Sequence, residues 1–216
     1  MGIDDKVNSL NILDQTYIIR KGSPENASDF SRLILISAPT FFPVLLGPYL
    51  HNLMETLYQK SGNLFSHPHT WFLEVQEKVV GMVLGYTGNE KSGEGLATGL
   101  LFLKHFMEHG LLRKIVYLLR VHSIVDKVKK GDFYISNIAI YPEYQGKGFG
   151  THLLRMIESE ALKKGCTGIK LDVEAVNQKA YLLYQKLGYE VEWKSPSLVL
   201  GKNVFQFLRM QKLLFI

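Results

Sequence analysis

Apolar positions along the chain follow two rhythms. Residues 133–141, FYISNIAIY, are dense in β-branched and aromatic side chains and predict a buried strand. Pro142 cannot continue a hydrogen-bond ladder and opens a turn. Phe149, Leu153, Leu154, Ile157 and Ala161 then recur at helical spacing, with Arg155, Glu158 and Lys163 on the other side, so a helix follows. Residues 168–173 predict the next strand. Upstream, residues 16–20 predict a first strand. Ser23-Pro24-Glu25 reads as a helix start, with a Ser cap, Pro in the first turn and an acid behind it. Phe30, Leu33, Ile34 and Ile36 carry that helix to Pro39. Residues 40–50 are apolar but broken by Pro43, Gly47 and Pro48, which suits either a pocket lining or a core turn. A second helix spans 51–59. Residues 71–75 and 79–86, joined through 76–78, predict a β-hairpin, and 189–193 with 204–213 a closing antiparallel pair.

Between the hairpin and Phe133 lies a longer segment, 88–132. It predicts a Gly-rich loop, GNEKSGEG, and two helices broken at Gly110. The second helix, 111–128, sets Leu112, Ile115, Val116, Leu119 and Val125 on one side and Arg113, Lys114, Arg120 and Lys127 around the rest, so it is amphipathic and basic. Packing on the domain is one reading. A lid, a dimer contact and a membrane-surface face are the others.

Bulk properties change the picture little. With 216 residues, 46% hydrophobic and 21% charged, the chain reads as one ordinary globular domain. A formal charge of +5 suits an anionic ligand but, without basic runs interleaved with aromatics, not nucleic acid. The single cysteine, Cys166, excludes an internal disulfide and reads as buried and inert. The opening MGIDDKVNSL has no apolar leader, and Val7 stands where a myristoylation motif needs Ser or Thr. No apolar run approaches the ~18–20 residues of a membrane span. A cytoplasmic location is the resulting expectation.

The candidate chemistry sits where strand 133–141 meets its helix. Gly146, Gly148 and Gly150 occupy alternate positions at a helix start, where unpartnered amides and the helix dipole favour phosphate. G-x-x-x-x-G-K-[ST] does not fit, because Lys147 is misplaced. G-x-G-x-x-G is closer, with Asp172 near the end of the next strand, and keeps a nicotinamide-dependent oxidoreductase as an alternative. The third pattern, Q-x-x-G-x-G at Gln145, Gly148 and Gly150, resembles the acyl-CoA pyrophosphate loop of the GNAT superfamily of N-acetyltransferases. Asn177, Ala180, Tyr184 and the Leu187-Gly188-Tyr189 helix end resemble that superfamily's next motif, in its order. The resemblance covers residues 133–192 by motif and the flanking strands by pattern.

This resemblance implies an α/β (α+β) fold: one domain, 1–216, with a mixed, mostly antiparallel sheet, splayed central strands and flanking helices. The helical insertion 88–132 departs from the family's short connection. It implies direct transfer of an acetyl group from acetyl-CoA to an amine of a small molecule or a peptide N-terminus. A catalytically silent acyl-CoA-binding or sensory module is the alternative from another class. Under the resemblance the amides of Gly146, Lys147, Gly148, Phe149, Gly150 and Thr151 hold the pyrophosphate, preceded by Gln145. The backbone of Ile138, Ala139 and Ile140 pairs with the pantetheine arm, and Asn177 caps its helix and touches the cosubstrate. Tyr184 protonates the leaving thiolate. Asp172 is the expected base, with a water chain as the alternative, and Glu174 is expected on the opposite face. A homodimer is left open. His105 and His109 form H-x-x-E-H, but Gly110 ends the helix and no third ligand follows, so no metal site is expected. His67 and His69 read as loop residues, and no G-x-S-x-G is present.

Overall fold

A computed structural model describes residues 10–12, 15–125 and 128–214. Residues 1–9, which bear the expectation about leaders and lipidation, lie outside them. The chain runs β1 (Leu10–Ile12), β2 (Gln15–Lys21), α1 (Ala27–Ser37), α2 (Phe41–Leu46), α3 (Leu50–Gln59), β3 (Thr70–Val75) and β4 (Lys78–Thr87). Then follow α4 (Gly88–Glu108), α5 (Leu112–Val125), β5 (Asp132–Ile140), α6 (Phe149–Lys163), β6 (Gly168–Glu174) and α7 (Gln178–Lys186). The chain closes with β7 (Glu190–Lys194), β8 (Leu198–Leu200), β9 (Asn203–Phe205) and β10 (Phe207–Leu213). Eight strands form one sheet in the order β1-β2-β3-β4-β5-β6-β10-β7, antiparallel at every junction except β5–β6. The mixed, mostly antiparallel sheet with flanking helices is the expected architecture.

Strand alternation gives the sheet two apolar faces, and helices cover both. One core joins α6 and Tyr184 of α7 to Ile169, Leu171 and Val173 of β6. The other joins α1–α5 and the β8–β9 ribbon to Phe72, Met82, Leu84 and Ala139. In α2, Phe41 and Phe42 are buried, and Phe41 meets the rings of Phe205 and Phe207 edge-on at 5.3 and 5.4 Å. Between the two readings of residues 40–50, core packing describes the apolar side chains.

GNEKSGEG is not a loop; it forms the first two turns of α4. Glycine disfavours a helix by about 1 kcal/mol per residue, so local propensity argued against this. A capping box supplies the start: Thr87 Oγ1 accepts from the Glu90 amide at 3.1 Å, and Glu90 Oε2 accepts from the Thr87 amide at 2.7 Å. Glu90 also pairs with Lys164, the residue that follows α6, at 2.7 Å, and Glu94 with His69 at 2.8 Å. Tertiary partners therefore fix the turns that glycine leaves free. The insertion leaves and rejoins the sheet at one point, since a Cβ on Gly88 would lie 2.0 Å from the Lys129 carbonyl oxygen. The predicted strand 204–213 is also two strands, β9 and β10, of which β9 pairs with β8 outside the main sheet.

Candidate active site

The parallel ladder between β5 and β6 runs from Asp132↔Gly168 to Ile135↔Leu171 and stops there. On the other side β5 stays paired with β4 through Ile140↔Gly81. Asn137 faces Leu84 and Ile135 faces Gly85, so Ser136 is an extra residue and forms a bulge. Beyond it Ile138 and Ile140 pack toward α6, and Ala139 packs toward the opposite core. Ile138, Ala139 and Ile140 thus act as core side chains while one backbone edge faces a gap without a β6 partner.

The glycine turn opens beside that gap. Gly146 and Gly148 hold φ +79° and +87°, left-handed backbone that side chains with a Cβ resist, and a Cβ at either would touch nothing within 4 Å. Conformation, not space, requires glycine at both. Gly148 caps α6, whose first-turn amides at Phe149, Gly150 and Thr151 have no intrahelical acceptor, and that turn holds no acid. The dipole and the amides together make an anion seat. Lys147 Nζ lies 5.1 Å from the centroid of the Tyr144 ring, which holds the cation at the turn. Gln145 is a tether: Nε2 donates to the Ile140 carbonyl at 3.0 Å, and Oε1 accepts from Lys179 of α7 at 3.1 Å. Phe149 is buried against Tyr17, so it offers the turn only its backbone.

Two contacts dock α7 here: the Lys179–Gln145 bond, and Gly150, whose Cβ would meet Leu183 at 3.8 Å. Asn177 caps α7 by accepting from the Ala180 amide at 3.1 Å. Tyr184, two turns on, is 7% exposed, with its ring 5.9 Å from that of Tyr189. Burial pushes its hydroxyl up to about 12, and the hydroxyl has no hydrogen bond among the described residues.

Asp172 is differently placed. Its Oδ1 accepts from Arg209 Nε at 2.9 Å, and its Oδ2 accepts from Arg209 Nη2 and from the Tyr134 hydroxyl, both at 2.8 Å. Three donors occupy a carboxylate 9% exposed, against an arginine side chain 3% exposed. This is a bidentate ion pair that pins β6 to β10, with the carboxylate oxygens engaged by those donors. Glu174 corrects the second expectation. Residues two apart share a strand face, and its antiparallel partner Phe207 lies on the same face as Arg209, the partner of Asp172. Asp172 and Glu174 therefore point the same way, away from α6. Glu174 is half-buried, its carboxylate has no ion pair or hydrogen bond among the described residues, and burial raises its pKa. Its carbonyl accepts from the Asn177 amide at 2.8 Å, which ties this strand end to the α7 cap. Period two would have found it; its free state is visible only once Arg209 is seen to choose Asp172.

His105 and His109 stack at 4.3 Å at the end of α4, with Tyr49 4.3 Å from His109. Among the described residues no three His, Cys, Asp or Glu side chains come together as a metal site. No helix of the described residues is long and apolar enough to cross a membrane. Cys166 is buried, and burial pushes its thiol up.

Known structures share this fold. The structure of an N-acetyltransferase from Staphylococcus aureus Mu50 superposes with a TM-score of 0.66 at 19% identity, covering 90% of this chain and 99% of the other. That of yncA from Salmonella typhimurium with its cofactor acetyl-CoA superposes at 0.60 and 15% identity, over 92% and 94%. Both likenesses concern the fold. In sequence, thialysine N-epsilon-acetyltransferase of Mus musculus is 40% identical over 55 residues, 26% of this chain and 32% of that protein. The chain thus spans about a third of the length of that relative. The Acetyltransferase (GNAT) family profile matches residues 33–189, well over half of the chain. The split between β5 and β6, the left-handed glycine turn and the family match agree: this chain belongs to the GNAT family of acetyltransferases.

Proposed function

We propose that the chain moves an acetyl group from acetyl-CoA to an amine, the general reaction of its family, and that Tyr184 and Glu174 handle the protons. The observation that carries this reading is the parting of β5 and β6 after Ile135 and Leu171, beside a helix start built for anions. The amides of residues 146–151 and Lys147 would hold the pyrophosphate, and the backbone edge of Ile138, Ala139 and Ile140 that lacks a β6 partner, with Gln145 already on the Ile140 carbonyl, would face the extended arm. Acetyl-CoA supplies the activated thioester when bound. Tyr184 stays protonated at neutral pH, so it is always available as a donor. A hydroxyl near 12 is a weak acid toward an ordinary thiolate, whose pKa is near 8.5. The same burial raises a thiolate as well, and that narrows the gap.

Glu174 lies on the sheet face opposite α6, where α1 and α2 pack, and is the available base for the acceptor's ammonium. Asp172 positions it by holding β6 to β10 through Arg209. The acceptor enters past α2, α5 and the β8–β9 ribbon. Lys114 of α5 donates to the Val44 carbonyl of α2, and Tyr117 packs in the same core as Phe41 and Leu198. The insertion is therefore a fixed wall of the acceptor side.

The test has two arms. Acetyl-CoA at a hundred times its Kd should raise stability by about 2.7 kcal/mol, read as a higher melting temperature, and NADH should not. Release of free CoA should then be measured across an amine library that includes thialysine. A shift with NADH alone ends the reading. A shift with acetyl-CoA and no turnover on any amine favours the silent binding module.

A further inference from the structure

The outer side of α5 and the β8–β9 ribbon form one surface of unusual composition. The inner side of α5 is used: Tyr117 is buried, and Ile115, Leu118 and Val121 pack on the core. The outer side leaves Leu112, Val116 and Leu119 exposed at helical spacing, Leu119 by 65%. Arg120 Nη1 donates to the Val199 carbonyl at 2.9 Å, which joins the helix to the ribbon. Val199 and Val204 are direct cross-strand partners, so they share a face, and both are exposed. A groove of about 330 Å³ runs between helix and ribbon, lined by Arg113, Val116, Tyr117, Arg120, Val199 and Gly201.

The charge is of one sign. Neither α5 nor residues 198–205 contains an Asp or Glu, while Arg113, Arg120 and Lys202 stand among the aliphatic side chains. Residues 112–130 hold six Lys and Arg against the single acid Asp126, a net +5 that equals the formal charge of the whole chain. A symmetric contact with a second copy would set these cations against their own counterparts with no acid to offset them. An exposed aliphatic patch set in cations, with no exposed aromatic ring, matches an anionic lipid leaflet, where headgroups meet the arginines and the interface takes the aliphatic tips.

We propose that α5 and the β8–β9 ribbon form a docking surface for anionic membranes, on which the domain rests peripherally. The proposal is independent of the catalytic reading, because its readout is vesicle binding. The full chain would be sedimented with vesicles of phosphatidylcholine and with vesicles half phosphatidylglycerol. It should pellet with the second, scarcely with the first, and less as salt rises. Each cation removed near an anionic leaflet should weaken binding about five-fold, so Arg113→Glu with Arg120→Glu should lose more than about twenty-fold. Those arginines also bond to Tyr117 and Val199. Lys202→Glu with Val204→Asp, which changes only exposed tips, is the companion variant and should lose about ten-fold or more, with an unchanged melting temperature. No pelleting, equal pelleting with both vesicles, or pelleting indifferent to these variants overturns the proposal. A dimer that the same variants dissociate, with no vesicle binding, assigns the surface to a second copy and overturns it too.

Discussion

At the scale of single residues, three side chains divide the proposed chemistry, and substitution separates them. Tyr184→Phe keeps the buried ring and removes the proton, so acetyl-CoA binding should persist while kcat falls about a hundred-fold. An unchanged kcat would give the thiolate's proton to water. Glu174 makes a prediction of opposite sign for rate and stability. Its pKa is raised by burial, so the stability it contributes is full below the ordinary carboxylate range and is lost as pH rises through the raised value. Glu174→Gln removes that loss. At pH 8 the variant should melt no lower than the parent, while kcat/KM drops about a hundred-fold and the acid limb of its pH profile flattens. A variant that keeps both its rate and its pH profile would remove Glu174 as the base. Asp172→Asn should behave as a structural change instead, costing about 3 kcal/mol in urea unfolding because it leaves Arg209 buried without its charge partner. The place of Tyr184, two turns beyond Asn177 on α7, was legible in the sequence because helical spacing is local. The state of Asp172 was not, since Arg209 lies 37 residues away and meets it only through the β6–β10 register.

At the scale of elements, the junction of β5 with α6 was legible because its requirements are written into consecutive residues. A proline ends the strand, glycines turn the chain, and apolar spacing starts the helix. Gly148→Ala isolates this local term. No atom lies within 4 Å of the added Cβ, so the variant should lose about 1 kcal/mol of stability through backbone strain alone. The left-handed cap would then relax, and acetyl-CoA affinity should fall together with stability. Full affinity at reduced stability would show that the amides do not need this cap to form the seat. The bulge at Ser136 and the helical state of GNEKSGEG were not legible. Each is decided by partners distant in sequence: Leu84 and Gly85 across the β4–β5 ladder, and Lys164 and His69 for α4.

At the scale of the molecule, the resemblance marks 88–132 as a helical insertion in place of a short connection, and the packing decides what its removal would do. Phe102 and Phe106 of α4 and Tyr117 of α5 are buried in the core that also contains Phe30, Leu46 and Leu200. Truncating one such aromatic costs about 3–5 kcal/mol, and a whole domain is stable by about 5–15 kcal/mol. Replacing residues 91–130 by a Gly-Ser linker should therefore abolish cooperative unfolding rather than leave a folded enzyme without its cover. A lighter change tests the acceptor role. Lys114 straps α5 to α2 through the Val44 carbonyl, and its stem lies 3.6 Å from the Cβ position of Gly47. Lys114→Met keeps the stem and removes only the strap. If the insertion forms the wall of the acceptor side, KM for the amine should rise several-fold, while the acetyl-CoA shift in melting temperature is preserved. A variant that loses the acetyl-CoA shift and keeps its amine KM would instead place the insertion in service of the cosubstrate.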